Sequence, residues 1–361
     1  MSIETDRRDP DRDVEIPLPP ALRKQGQLKP WVTPGMLGAA AVVVGGLLVL
    51  AGFSTGLFIV GTFIVFAVGL YVLSRAVEGR RKATDRLVTV TVTAAFLLAL
   101  IPLVSVIITV IGNGVARFDA TFFTSSLRGV VGEGGGAYHA IIGTLIITGL
   151  AALMSIPVGL LTAVYLVEYG KGRLARAITF FVDVMTGIPS IVAGLFAFAL
   201  FALFFGPGIR LGFAGAVALS VLMIPVVVRA TEEMLKIVPN ELREAAYALG
   251  VPKWRTIIKV VIPTSIAGIA SGVTLAIARV IGETAPLLIA VGITTGVNIN
   301  PFDGRMATLP VFSYNSYAFP GVPREPFLDR AWTAALVLII IVMLLNLLAR
   351  LIARTFAPKT R

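Results

Sequence analysis

Arg279 and Glu283 stand four residues apart in a stretch, residues 264–296, that carries no other charge. Arg279 lies roughly 15 residues into it, or about 22 Å at about 1.5 Å per residue of helix. An arginine at such depth in a membrane costs roughly 2.5–3.5 kcal/mol on insertion scales, so it is expected to face a cavity or a partner. On a continuous helix the two residues share a face. With arginine on the N-terminal side the pair is in its poorer order and offsets little of that cost. A guanidinium presents a planar fork that meets oxyanions in a bidentate way. A path for an anion needs such local positive potential, tempered so that release stays fast. Arg279 is therefore the first candidate to pass an anion, with Glu283 tempering its charge. Arg229, at the end of the apolar segment 213–229, is the second; an anchor at the membrane surface is the competing reading there.

Other chemistry is largely excluded. There is no cysteine and one histidine, His139. Thiol catalysis, disulfides and clustered Cys or His metal ligands therefore drop out. No G-x-x-x-x-G-K-[ST] phosphate loop occurs, and no Gly-rich dinucleotide turn, nucleophile elbow or paired carboxylate stands out. The chain is expected not to be an enzyme and to hold no metal or cofactor of its own. His139 is expected at a membrane interface.

The elements that must carry these residues are apolar. The chain has 361 residues, of which 57% are hydrophobic and 14% charged. A soluble domain is nearer one half and one quarter. Eight apolar segments follow a polar, proline-rich tail (1–35) that reads as disordered: 36–53, 57–74, 87–112, 138–167, 179–205, 213–229, 264–296 and 331–353. About 20 apolar residues span the roughly 30 Å core of a bilayer as a helix, and lipid demands that backbone groups bond within the segment. The fold class is thus an all-α integral membrane protein of about eight transmembrane helices. Strands of alternating polarity, as in a membrane barrel, are not seen.

Positive charge orients the chain. With the N-terminus in the cytoplasm, the inward segments hold 24 of the 31 Lys and Arg residues. Loops retained in the cytoplasm collect such residues, so both termini are expected inside. The same skew explains a net charge of +11 without nucleic acid. Two long outward loops, 113–137 and 297–330, are either partner-binding or plain connectors.

The longest inward loop, 231–262, carries a short amphipathic helix. Asn240 is placed to cap it and Gly250 to stop it. Leu242, Ala245, Ala246 and Leu249 fall on one stripe at helical spacing. The helix could lie on lipid, or dock into a partner's groove, which the two small alanines would suit.

The motifs in this loop resemble those of ABC-transporter permeases. Glu244-Ala245-Ala246, then Gly250, then Val261-Ile262-Pro263 follow that family's cytoplasmic signature. Tyr165 to Gly170, Ile188 to Phe196, Arg229 to Lys236, Arg243 to Gly250 and Ala278 to Leu288 are further similar to the A-type permease of bacterial phosphate-specific (Pst) importers, over roughly residues 85–355. The resemblance implies a six-helix type I importer core (83–361) behind an extra N-terminal hairpin (36–82), in the bacterial plasma membrane. It implies a coupling helix, with Leu242, Glu244, Ala245, Ala246, Leu249 and Gly250, that docks on a separate ATPase. It further implies a homologous second permease, two ATPase copies that bind the ATP, an extracytoplasmic phosphate-binding protein and inorganic phosphate as substrate. Arginines matching Arg229 and Arg279 are implied in its passage. A permease for sulfate or molybdate, and an ion-coupled carrier, remain as alternatives. The carrier would show interrupted helices and no ATPase.

Overall fold

The computed structural model describes residues 27–356, and every regular element among them is helical. Of the tail expected over 1–35, residues 1–26 lie outside the described residues, and Val32 already opens the first helix. Among the described residues, seven helices are long and apolar enough to cross a membrane, or eight if a bent pair counts as one span. The chain divides into two compact units, Met1–Ser105 and Val106–Arg361.

The first unit holds α1 (Val32–Ala51), α2 (Thr55–Val77) and most of α3 (Arg80–Gly114). Gly52, at φ 100°, turns the chain between α1 and α2, a conformation that only glycine adopts at little cost. The apolar centre is small: Ala40, Phe66 and Leu70, with Met36 and Val90 against them. Most other side chains point outward, as lipid-facing residues do; Leu50 is 88% exposed. One end is tied by Glu78, in the turn between α2 and α3. Its carboxylate accepts from the Leu28 N–H (2.8 Å), the Ser74 hydroxyl (2.8 Å) and both Nε (2.6 Å) and Nη2 (2.9 Å) of Arg86. The Arg86 bonds above all hold its pKa down, to about 2 from 4.5. A depressed carboxylate stabilises the fold above its unfolded pKa and loses that contribution as pH falls. Hydrogen exchange at residues 74–86, corrected for intrinsic rates, is expected to be flat above pH 4.5 and to rise as pH drops toward 2. Glu78→Gln should remove that dependence.

The second unit is built around α8 (Gly212–Ile237), which lies against α5 (Tyr138–Val164), α7 (Ser190–Phe205), α11 (Ile262–Val280) and α12 (Ala285–Ala290). Lipid supplies no hydrophobic drive between spans, so close packing through small residues must. Gly159 of α5 meets Val227, Gly194 of α7 meets Pro286, and Gly272 of α11 meets Ala230. Gly268, one turn before Gly272, also faces α8, where it meets Met234. A Cβ at Gly272 would stand 2.5 Å from that of Ala230. Gly272→Leu is expected to cost about 1–3 kcal/mol by overpacking, read as a lowered unfolding midpoint of the purified protein. Ser271→Leu, on the exposed face of the same helix, should leave it unchanged.

Two of the eight expected spans are not continuous. Segment 179–205 is α6 (Gly172–Thr186) and α7, bent by 107° at Gly187-Ile188-Pro189. Proline removes an N–H donor and pushes the residue before it out of the helical region. Segment 264–296 ends its helix at Val280; Gly282 interrupts it and Pro286 opens the short α12. The connector 297–330, expected to face outward, contains another helix, α13 (Leu309–Ala318), whose Leu309 and Phe312 are buried beside α14 (Glu325–Phe356). Fold-level order is otherwise as hydropathy implied.

His139, expected at a membrane interface, faces the interior of the fold. It is buried at the start of α5, its ring edge-on to Phe312 at 5.5 Å. The loop 113–137, glycine-rich over residues 132–136, is held in place by two arginines. Arg330, buried at the start of α14, donates to the carbonyls of Gly132 (2.9 Å) and Gly134 (2.8 Å). Arg117 donates to Gly135 (2.9 Å) and pairs with Asp119 (3.1 Å). Asp119 caps α4 (Ala120–Thr124) by accepting from the Phe122 N–H, and that bond, then Arg117, lowers its pKa.

Candidate functional site

Two regions of the second unit carry the residues singled out in the sequence. The first is α9 (Asn240–Ala248) with the turn after it. Pro239, not Asn240, precedes the helix; the Asn240 side chain instead accepts from Arg243 Nη1 at 3.3 Å. Gly250 closes the turn at φ 74°, with its N–H on the Tyr247 carbonyl (2.9 Å). The apolar stripe faces away from the chain: Leu242 is 41% and Leu249 84% exposed, Glu244 and Ala245 are exposed, and Ala246 alone is buried.

Sequence reading named the stripe but missed what holds it. Arg243 projects to the other side of α9 and makes a many-pointed clamp. Its Nε (3.0 Å) and Nη2 (2.8 Å) donate to Glu168 Oε1. Nη2 also reaches the Leu235 carbonyl (3.0 Å), and Nη1 the Val238 carbonyl (2.6 Å). Those carbonyls belong to the last turn of α8 and its end, where no intrahelical donor is left. Glu168 lies in a wide π-turn, Tyr165–Tyr169, that finishes α5. Lys253, which opens α10 (Lys253–Thr256), donates to the Glu168 carbonyl and sits 4.8 Å from the Tyr169 ring centre. One buried carboxylate and one guanidinium thus lock α9 to the ends of α5 and α8. Both residues stood inside motifs visible in the sequence; their separation of 75 residues hid the contact.

The second region holds the membrane charges. Arg229, on α8, is paired with two carboxylates. Nη2 pairs with Asp183 of α6 and Nη1 with Glu232 (2.7 Å), which also holds Lys236 (2.7 Å). Arg279 differs. It sits in the last turn of α11, is exposed on the isolated chain, and has no hydrogen bond or ion pair among the described residues. Glu283 is not one helical turn further on but in the break that follows, its N–H on the Val280 carbonyl (3.1 Å). The shared helix face expected for the pair is therefore corrected: Gly282 lies between them and no ion pair forms. The break also borders a cavity of about 360 Å³, reached by Gly282, Thr284, Tyr314, Tyr317 and Trp332. The structure does not join Arg279 to Arg229 by any contact among the described residues.

The chain matches, over residues 155–361, the family described as binding-protein-dependent transport system inner membrane component. It is 50% identical over 284 residues, 78% of its own length and 92% of the relative's, to the phosphate transport system permease protein PstA 1 of Mycobacterium tuberculosis (strain CDC 1551 / Oshkosh). It is 37% identical over 274 residues, 75% and 95% of the two lengths, to PstA of Pasteurella multocida (strain Pm70). Among solved structures it resembles a chain of a bacterial alginate ABC transporter in complex with an alginate pentasaccharide-bound periplasmic protein. The TM-score there is 0.55 at 16% identity, covering 77% of this chain and 96% of that one, which is a likeness of fold. A second structure, of a bacterial ABC transporter involved in the import of alginate, agrees with a TM-score of 0.51 at 14% identity, over 75% and 96%. With half of the 284 aligned residues identical, across nearly the whole of a curated relative, the chain belongs to the PstA family of phosphate transport system permeases, within the binding-protein-dependent inner membrane components.

Proposed function

We propose that this chain is the membrane permease subunit of an ATP-driven importer of inorganic phosphate, with both termini cytoplasmic. It lines the path, and a separate ATPase hydrolyses the ATP. The observation that carries this reading is α9: an outward stripe of Leu242, Ala245 and Leu249 on a helix locked from behind to two membrane spans. A helix meant to lie on lipid needs no such clamp. A helix that must pass a partner's movement into the membrane does. The interrupted spans are what an ion-coupled carrier would also show, yet such a carrier leaves α9 without a task.

In the assembled transporter the chain would pair with a homologous permease, with one ATPase copy under each coupling helix. A phosphate-binding protein would deliver substrate at the opposite face. Arg279, unpaired among the described residues, is the residue proposed to receive phosphate, with Glu283 in the break beside it. Arg229 is already neutralised, so an anion reaching it must displace the exposed Asp183 rather than the buried Glu232. The absence of cysteine makes a direct test clean. A Leu249→Cys variant is expected to cross-link to a cysteine in the groove of the co-expressed ATPase subunit. Cysteine at the exposed Met343 of α14 should not. No cross-link from Leu249 or from Leu242 would remove the coupling assignment.

A further inference from the structure

The first unit contains a cleft between α1, α2 and α3 that the transport reading does not use. One end is polar, about 440 Å³, with Gln27, Thr33, Lys82, Asp85 and Arg86 around it. The other is apolar, about 600 Å³, with Leu37, Phe58, Ile59, Phe66, Ala94 and Leu97 on its walls. Thr33, Thr89 and Val90 line both, so the polar mouth adjoins the apolar body.

Its length and charge limit the occupant. Along α2 the apolar body runs from Phe58 to Phe66, and Leu70 lines the mouth. Phe58 to Leu70 is about 18 Å at about 1.5 Å per residue. That is little more than half of the roughly 30 Å hydrocarbon core, the depth of one leaflet. A helix from another subunit would need a groove across the whole core. The mouth also offers free donors. Glu78 takes up Nε and Nη2 of Arg86, leaving Nη1 with a single 3.5 Å contact to Thr33. Lys82 has no ion pair among the described residues. Among the described residues of this unit, the cations Lys29, Arg75, Arg80, Arg81, Lys82 and Arg86 all gather at this end, against Glu78 and Asp85. Basic pockets between spans at a membrane surface are sites for anionic headgroups.

We propose that this cleft binds one anionic phospholipid, its phosphate on Lys82 and Arg86 and an acyl chain along the α1–α2–α3 groove. The lipid fills a space that α1, α2 and α3 leave open and ties the hairpin to α3.

The full chain, purified in mild detergent with its associated subunits, would be followed by native mass spectrometry. Phosphatidylglycerol and phosphatidylcholine would be titrated after delipidation. One phosphatidylglycerol is expected to remain on the wild type and be lost from Ala94→Trp, which fills the groove from a half-buried position. Lys82→Ala should raise the half-saturating phosphatidylglycerol roughly fivefold, the contribution of one surface cation. Leu37→Trp serves as a second filler should Ala94→Trp fold poorly. Equal retention in wild type and both fillers would overturn the proposal. So would binding of lipid only after residues 2–26 are deleted, which would make that segment the occupant. A photo-crosslinker at Leu97 that captures another protein chain rather than lipid would assign the groove to a partner helix and would equally overturn it.

Discussion

Arg243→Ala is expected to uncouple the transporter while leaving its helices in place. The substitution removes both donors from Glu168 Oε1 and strips the carbonyls of Leu235 and Val238 of their partner. The side chains of Arg243 and Glu168 are 12% and 5% exposed, so the pair is buried on the isolated chain. Breaking a buried pair by removing one partner costs about 3–5 kcal/mol, because the other charge is left uncompensated. That loss is local: it falls on the joint between α9 and the ends of α5 and α8. The reconstituted complex should still assemble, while ATP hydrolysis stimulated by loaded binding protein falls to the unstimulated level. Glu168→Gln keeps the shape and an acceptor oxygen, so it should retain part of the stimulation. An Arg243→Ala complex with undiminished stimulation would show that α9 transmits nothing through this joint.

Arg279→Ala has the second large expected effect. A hydrogen bond to a charged group is worth about 1.5–3 kcal/mol. If the guanidinium meets phosphate only during passage, its loss should slow uptake by roughly 10- to 150-fold. Arg279→Lys keeps the charge without the fork and should recover part of the rate. Stability should not fall, because Arg279 makes no hydrogen bond or ion pair among the described residues that the substitution could break. Uptake unchanged in Arg279→Ala would move the anion path elsewhere and leave the coupling joint untouched.

Much of the architecture was legible because apolar length is a strong signal. All eight apolar segments correspond to helices, and α9 lies where its stripe and Gly250 place it. What stayed hidden is what hydropathy is blind to. The breaks at Gly187-Ile188-Pro189 and Gly282-Glu283-Thr284 sit inside continuous apolar runs, and a window average passes over them. The signals were Pro189 and the Gly282/Pro286 pair, which act through backbone donors and φ rather than through polarity. Helix α13 was taken for connector because Asn and Tyr dilute it, although Leu309 and Phe312 pack inside.

The candidate site was legible by residue and not by partner. Arg279 and Arg229 were both found as charges out of place. Their difference was not: one is held by Asp183 from 46 residues away, the other is bare. Arg330 read as one more outward charge, whereas it is buried and pins the Gly132 and Gly134 carbonyls from nearly 200 residues off. Such contacts depend on tertiary placement, which neither periodicity nor spacing encodes.

The most direct measurement is phosphate uptake into proteoliposomes carrying the whole complex, with loaded binding protein outside and ATP inside. Uptake should require both ATP and the ATPase subunit, respond to phosphate but not sulfate, and collapse with Arg279→Ala. Uptake that proceeds without the ATPase and follows an imposed ion gradient would contradict the account at its centre.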